Sequence, residues 1–537
     1  MAHARASVER IASYVERHRA VLDTPGLALA VTDREETLGV VVDGLADVAT
    51  GTSVAESHRF QIGSISKGFT VMALMREREA GRLDLDAPVT DFLPWFEVRS
   101  EHGPITVHHL LSHTSGLVCG MDATGDAVNE VWSLRETHTG WAPGERFLYS
   151  NVGYKTLGLV LEAVTGRPWW ESVLENVMDP IGMGEADVII TNDSRARLAT
   201  GHTSPFDDRP WQPRHGWVPS TWFESRTADG TICATADELA RYARLLLNRG
   251  RGVISEESFA LMSRPIAEDP EDPGEIFGYG LKWVPGEGGR LLGHSGGMIG
   301  FTAYLLVDPD AGVGVTILTN SPWSNRIELA RFSLGCLAAE AGGVALPEVP
   351  EPPDGVGVPD AARFAGTVRG DDGELEIVAE GDRLFAREGA WRASLLPVFG
   401  DRFAIDDPAA DRYPLDLVRR DGALVEASWG PRWFSADGRR SEAPKEWIPL
   451  AGRYRSWNPW APGFDVFVRG GGLSLELFGS TDVGAAQPLT PLEDGSFIAG
   501  ALPSPSRVRF DMVIDGRPTR AVFDAAPFYR VTGPDPV

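Results

Sequence analysis

The sequence predicts a mixed α/β unit over residues 1–345, followed by two small all-β modules. Three observations point there. Strand-like runs lie near both ends of residues 1–345 with helical patterns between them. A proline-rich segment then interrupts the chain, from Leu346 through Pro359. Beyond it helical periodicity disappears, and short strand-like runs alternate with Gly, Asp and Pro turns.

A chain of 537 residues is too long for one ordinary domain, and its 43% hydrophobic content supplies ample core. The formal net charge of -26 and a pI near 4.9 argue against a nucleic-acid surface or an anionic membrane as partner, since both reward clustered Lys and Arg. A small-molecule or short peptide substrate is the more natural partner; composition leaves the oligomeric state unknown. Residues 1–21 mix Arg and Glu with apolar residues at helical spacing and lack an apolar run of signal-peptide length. No stretch elsewhere approaches a membrane span. Three cysteines, Cys119, Cys233 and Cys336, are too few and too scattered for a disulfide framework or a zinc cluster. A cytoplasmic location is the resulting expectation.

Along the first unit, Gly26–Thr32 and Thr37–Val42 read as two strands joined by the charged turn Asp33–Glu36, most simply a hairpin. Helical patterns follow at Lys67–Glu79, Val107–Leu111, Val152–Val164 and Ala236–Leu247. Gly278–Trp283, Arg290–His294, Phe301–Val307 and Gly312–Leu318 read as consecutive strands, and Asn325–Ala341 as a closing helix. Strands from both ends of the unit therefore share one sheet.

Residues 346–362 read as a linker, because their prolines cannot enter a helix or sheet interior. Two barrel-like modules follow, over 363–445 and 446–537. A weak internal repeat supports the division: Phe364-Ala365-Gly366 precedes one pair of strand-like runs, and Leu450-Ala451-Gly452 precedes another.

Three short motifs bear on chemistry. In Gly63-Ser64-Ile65-Ser66-Lys67, an extended run gives way to a helix, and Ser64 and Lys67 fall one turn apart on one face. An amine there can take a hydroxyl proton, although a serine opening a helix also fits a simple N-cap. In Tyr149-Ser150-Asn151, an extended backbone aims the phenol and the amide into one cleft, while Asn151 alone also fits the N-cap of the next helix. In His294-Ser295-Gly296-Gly297, glycine lets a substrate lie along a strand edge whose N–H groups can bind an oxyanion. A phosphate loop is the competing reading, but the lysine and hydroxyl that should follow are missing.

Together, the order Ser-x-x-Lys, Tyr-x-Asn, His-x-Gly resembles the serine β-lactamase and penicillin-binding-protein superfamily, closest to its class C β-lactamase, esterase and D-aminopeptidase branch. Leu110-Leu111-Ser112-His113-Thr114-Ser115-Gly116-Leu117 and Pro143-Gly144-Glu145 are similar to that branch as well. The resemblance implies a β-lactamase-like mixed α/β domain with a mainly antiparallel sheet. It implies Ser64 as nucleophile, Lys67 as general base and Tyr149 as the group that protonates the leaving group. It also implies that Asn151, His294 and Gly296 contact substrate, that the N–H groups of Ser64 and Gly297 form the oxyanion hole, and that neither metal nor organic cofactor is needed. The activity it implies is hydrolysis of small amides, D-amino-acid peptides or esters through an acyl-enzyme. Acyl transfer to an amine, or slow acylation in a penicillin-binding receptor, are the alternatives.

His294 departs from the lysine that many β-lactamases and carboxypeptidases carry there, and a mostly neutral imidazole binds a carboxylate less well. This moves the expectation from β-lactamase towards aminopeptidase, amidase, esterase or acyl transfer. His109 and His113, four apart on a helical pattern, have the spacing of a metal pair but no evident third ligand. Asp482, in a loop of the last module, could recognise a substrate ammonium, although an exposed aspartate is the plainer reading.

Overall fold

The computed structural model describes residues 4–22, 24–120, 125–286, 289–322, 326–352, 354–440, 442–479 and 486–531. The chain forms two compact units, Met1–Thr203 with Trp217–Glu351 and Ser204–Gly216 with Pro352–Val537.

The first unit is built on a nine-stranded sheet of β1 (Gly26–Thr32), β2 (Thr37–Asp47), β3 (Thr52–Ser53), β4 (Ala267–Glu268), β5 (Ile276–Phe277), β6 (Lys282–Pro285), β7 (Arg290–Met298), β8 (Phe301–Asp308) and β9 (Val313–Thr319). Its order is β3-β2-β1-β9-β8-β7-β6-β5-β4, and each neighbouring pair is antiparallel. The two ends of the unit meet in the middle of the sheet, where Leu29 lies opposite Ile317 and Val31 opposite Val315. Every residue of β1 and β9 is buried, the pattern of strands covered on both faces.

Helix α1 (Ala4–Leu22) covers one face with the helix Arg326–Ala341. Ile11, Tyr14 and Val15 pack with Leu329, Ala330 and Leu337 over Leu29, Val315 and Ile317. On β9, the Thr316 hydroxyl donates to Ala236 O, the first residue of the helix Ala236–Leu247. Thr235 caps that helix with Glu238 in a reciprocal box. Truncating Ile317 to alanine in such a core costs about 2–5 kcal/mol.

The expected hairpin Gly26–Thr32 to Thr37 is present, its turn held by Asp33 Oδ1, which accepts from the N–H groups of Glu35 and Glu36. One expected strand is divided. Within Gly278–Trp283, Gly280 takes φ +63° and Gly278 N–H turns back to Leu281 O, so the strand starts only at Lys282.

The second unit contains two closed eight-stranded barrels, from Gly366–Gly370 to Arg432–Ser435 and from Gly452–Arg455 to Ala526–Arg530. Each begins the same way. A 3-10 helix, Ala361–Phe364 or Lys445–Leu450, is followed by Ala-Gly and the first strand. That is the physical content of the repeat in the sequence. Val358 and Ala361, within the stretch expected as linker, are buried in the core of the first barrel with Phe364, Val368, Phe403 and Phe434.

Residues 204–216 leave the first unit and belong with the barrels. Arg209, Arg214 and His215 converge on the Asp411 carboxylate of the first barrel at 2.8, 2.7 and 3.1 Å. Asp207 pairs with Arg455 and Asp208 with Arg453 of the second barrel. Arg402 joins the barrels directly, bonded to Asp416 and to Glu476. No sequence pattern announces this excursion, because its partners lie far along the chain.

Candidate active site

Phe60–Gln61 forms a short strand, after which the chain makes a 3-10 turn at Gly63–Ile65 and enters α2 (Ser66–Glu79). Gly63 has φ +54°, and a Cβ there would lie 2.6 Å from Gly297 N, so glycine lets the turn press against β7. No side chain caps the turn, which excludes the N-cap reading of Ser64. Ser64 is half-buried, at the positive end of α2 where negative charge is favoured.

Lys67, one turn on, is fully buried. Its Nζ lies 2.9 Å from Ser64 Oγ, 2.8 Å from Asn151 Oδ1 and 2.8 Å from the main-chain oxygen of Asp229. The last two are neutral acceptors, which orient the amine without adding an anion of their own.

Asn151 is the first residue of the helix Asn151–Thr165, and the N-cap is Ser150, whose hydroxyl accepts from Gly153 N–H. Capping therefore leaves the Asn151 amide available for Lys67. The centroid of the Tyr149 ring lies 5.0 Å from Lys67 Nζ. The catalytic triplet expected from the sequence is thus gathered around one amine.

On β7, His294 is buried with its ring 6.2 Å from that of Tyr149 and 5.8 Å from that of Phe277. Its Nδ1 contacts Ser295 O. A carbonyl can only accept, so Nδ1 carries the proton and Nε2 is a bare acceptor, without a hydrogen-bond partner among the described residues. Burial, then the nearby Lys282 cation, pushes this imidazole down to about 3, so it is neutral at pH 7. The Lys282 ammonium is itself paired with Glu275.

Gly296 is buried, and a Cβ on it would fall 1.9 Å from Ile62 O. Its place is the close contact between the strand and the Ser64 turn, whereas Gly297 is exposed. Both lie within an antiparallel strand paired to β8, which rules out the phosphate-loop reading.

His109 and His113 do not form a metal pair. His109 Nδ1 faces Thr106 in the cap of the helix Val107–Leu111, and His113 is enclosed by Phe147, Tyr149, Tyr154 and Phe277. Among the described residues no group of three or more His, Cys, Asp or Glu could hold a metal ion, and no helix is long and apolar enough to cross a membrane. Asp482 lies outside the described residues. Sequence reasoning passed over Asp229 and the part His113 plays beside Tyr149. An acid flanked by small residues, in Thr227-Ala228-Asp229-Gly230, was the available signal for the first.

Comparison with known proteins agrees with this geometry. The Beta-lactamase family matches residues 11–335. Penicillin-binding protein 4 of Amycolatopsis lactamdurans is 30% identical over 368 residues, 65% of this chain and 94% of that protein. The octameric penicillin-binding protein homologue from Pyrococcus abyssi has the same fold, with TM-score 0.60 and 24% identity over 80% of this chain and 99% of that one. EstCE1, described as a hydrolase with promiscuous acyltransferase activity, aligns with TM-score 0.53 and 21% identity over 64% of this chain and all (100%) of its own. With Ser64, Lys67, Tyr149 and Asn151 assembled on this fold and the family matched across the first unit, the chain belongs to the Beta-lactamase family of serine hydrolases, within the serine β-lactamase and penicillin-binding-protein superfamily.

Proposed function

We propose that this protein hydrolyses small amides, D-amino-acid peptides or esters through an acyl-enzyme at Ser64. The observation that carries the reading is the 2.9 Å contact between Ser64 Oγ and Lys67 Nζ. For reaction, the unprotonated amine takes the Ser64 proton as Oγ attacks the substrate carbonyl. The N–H groups of Ser64 and Gly297 receive the oxyanion, and Asn151 orients the substrate. Tyr149 returns a proton to the departing nitrogen or oxygen as the tetrahedral intermediate collapses. Water then attacks the ester on Ser64, its proton passing back through the same groups, and the acid leaves.

The neutral His294 supports amides and esters over β-lactams and C-terminal carboxylates, because it offers an acceptor where a carboxylate needs a cation. The test is a hydrolysis screen of D- and L-aminoacyl amides, short-chain esters and a chromogenic β-lactam, with Ser64→Ala as control. Turnover of an amide or ester that exceeds β-lactam turnover and vanishes in Ser64→Ala is expected. Turnover that survives Ser64→Ala would overturn the reading.

The relative named a penicillin-binding protein supports a second reading, in which a β-lactam acylates the serine and leaves slowly. A stable adduct without turnover of any amide or ester favours it.

A further inference from the structure

Asp229 lies on a segment that runs beside the nucleophile turn. Ala228 O accepts from the Thr70 hydroxyl, Asp229 O from Lys67 Nζ, and Ile232 O from Ile62 N–H. A Cβ on the next residue, Gly230, would lie 3.4 Å from Met298 Sδ and 3.7 Å from Gly63 C. The segment therefore passes between the nucleophile turn and the end of β7, and Asp229 shares the Lys67 amine with Ser64.

The carboxylate of Asp229 stands apart from the other buried acids. Glu77 meets Arg82, Glu130 meets Lys155 and Glu238 meets Arg59. Asp411 meets Arg209, Asp465 meets Arg453 and Glu476 meets Arg402. Asp229 is equally buried, at 7% exposure, yet its Oδ1 has no hydrogen-bond partner among the described residues. A carboxylate oxygen accepts only, and one held out of water without a donor, as Oδ1 is, is costly unless a donor arrives with a ligand.

We infer that Asp229 binds the free ammonium group of an aminoacyl substrate whose scissile carbonyl sits at Ser64. Resting on the acyl-enzyme reading above, this names the substrate class as amino-acid amides and N-terminal peptide bonds with an uncapped amine. His294 fits the same class, since its Nε2 is a second acceptor near the site and repels no cation while neutral.

The test compares wild type, Asp229→Asn and Asp229→Ala on alanine p-nitroanilides of both configurations, their N-acetyl forms and the neutral ester p-nitrophenyl butyrate. Wild type is expected to prefer the free amine. Within each enzyme the ratio of kcat/KM for the free-amine substrate to that for its N-acetyl form is the readout, and Asp229→Asn should cut this ratio about tenfold or more. Alaninamide, as a competitive inhibitor of ester hydrolysis, should weaken by a similar factor, a readout independent of amide turnover. Equal use of acetylated and free substrates by wild type, or an unchanged ratio in Asp229→Asn, would overturn the inference and leave the acyl-enzyme reading standing. Absence of all wild-type turnover, ester included, would overturn both.

Discussion

His113 stacks its imidazole on the Tyr149 ring, with centroids 4.3 Å apart and planes 26° from parallel. It also fixes the backbone on both sides of that tyrosine: His113 O accepts from Leu148 N–H at 2.8 Å, and Nδ1 from Ser150 N–H at 3.0 Å. His113 has φ +56°, a left-handed conformation that turns the chain sharply there. Since Nδ1 accepts, the ring must be neutral. Burial first, and then the neighbouring Lys67 amine, holds it well below the ordinary histidine range.

His113 is thus a positioning residue for Tyr149. His113→Ala removes both stack and anchor and should lower kcat about 10- to 100-fold with KM within about twofold. His113→Phe keeps a ring against the phenol and should recover part of kcat. Steady-state kinetics on an ester substrate decide this; equal losses in both variants, or a change in KM alone, would contradict it.

In the proposed mechanism Lys67 acts as an amine that loses its proton. Lys67→Arg puts a permanently charged guanidinium there and should reduce kcat about 10²- to 10⁴-fold, the usual contribution of a general base. Circular dichroism matching that of wild type would show the fold intact, and near-normal kcat would refute the assignment.

His294 gives the protein an acid-sensitive element. Its imidazole titrates at about 3 in the folded chain, against 6.5 when exposed. Between those values the unfolded chain binds the extra proton, so stability rises with pH across this window and is lost on acidification. Urea titrations at pH 7 and pH 4.5 should show His294→Gln losing about 2 kcal/mol less than wild type over that interval. Parallel losses would contradict the buried neutral state.

The Ser64–Lys67 contact and the Tyr-x-Asn pair are legible in the sequence because each motif is local: one helical turn or one extended triplet places the side chains. The barrels were legible through alternation and turn residues, and their repeat through Ala-Gly at each first strand. What the sequence hid depends on distant partners. Asp229 becomes notable only when every other buried acid among the described residues is seen to have a cation, and His113 only when Leu148 and Ser150 are seen to hang from it. Residues 204–216 read as an ordinary loop until Asp411, Arg453 and Arg455 are found around them.

The excursion supplies a prediction of its own. Asp411 is 3% exposed and gathers three basic side chains, so Asp411→Ala leaves them without their anion. Removing one partner of a buried pair costs about 3–5 kcal/mol. The second unit should unfold at lower urea, and trypsin should cut after Arg214 sooner than in wild type. Unchanged cleavage would mean the cluster does not hold the loop.

The central claim is that Ser64, activated by Lys67, is the nucleophile. Intact-mass spectrometry after treatment with a fluorophosphonate tests it most directly. One covalent adduct on wild type, mapped to the peptide containing Ser64 and absent from Ser64→Ala, is the expected result. An adduct that persists in Ser64→Ala, or maps to another serine, would contradict it.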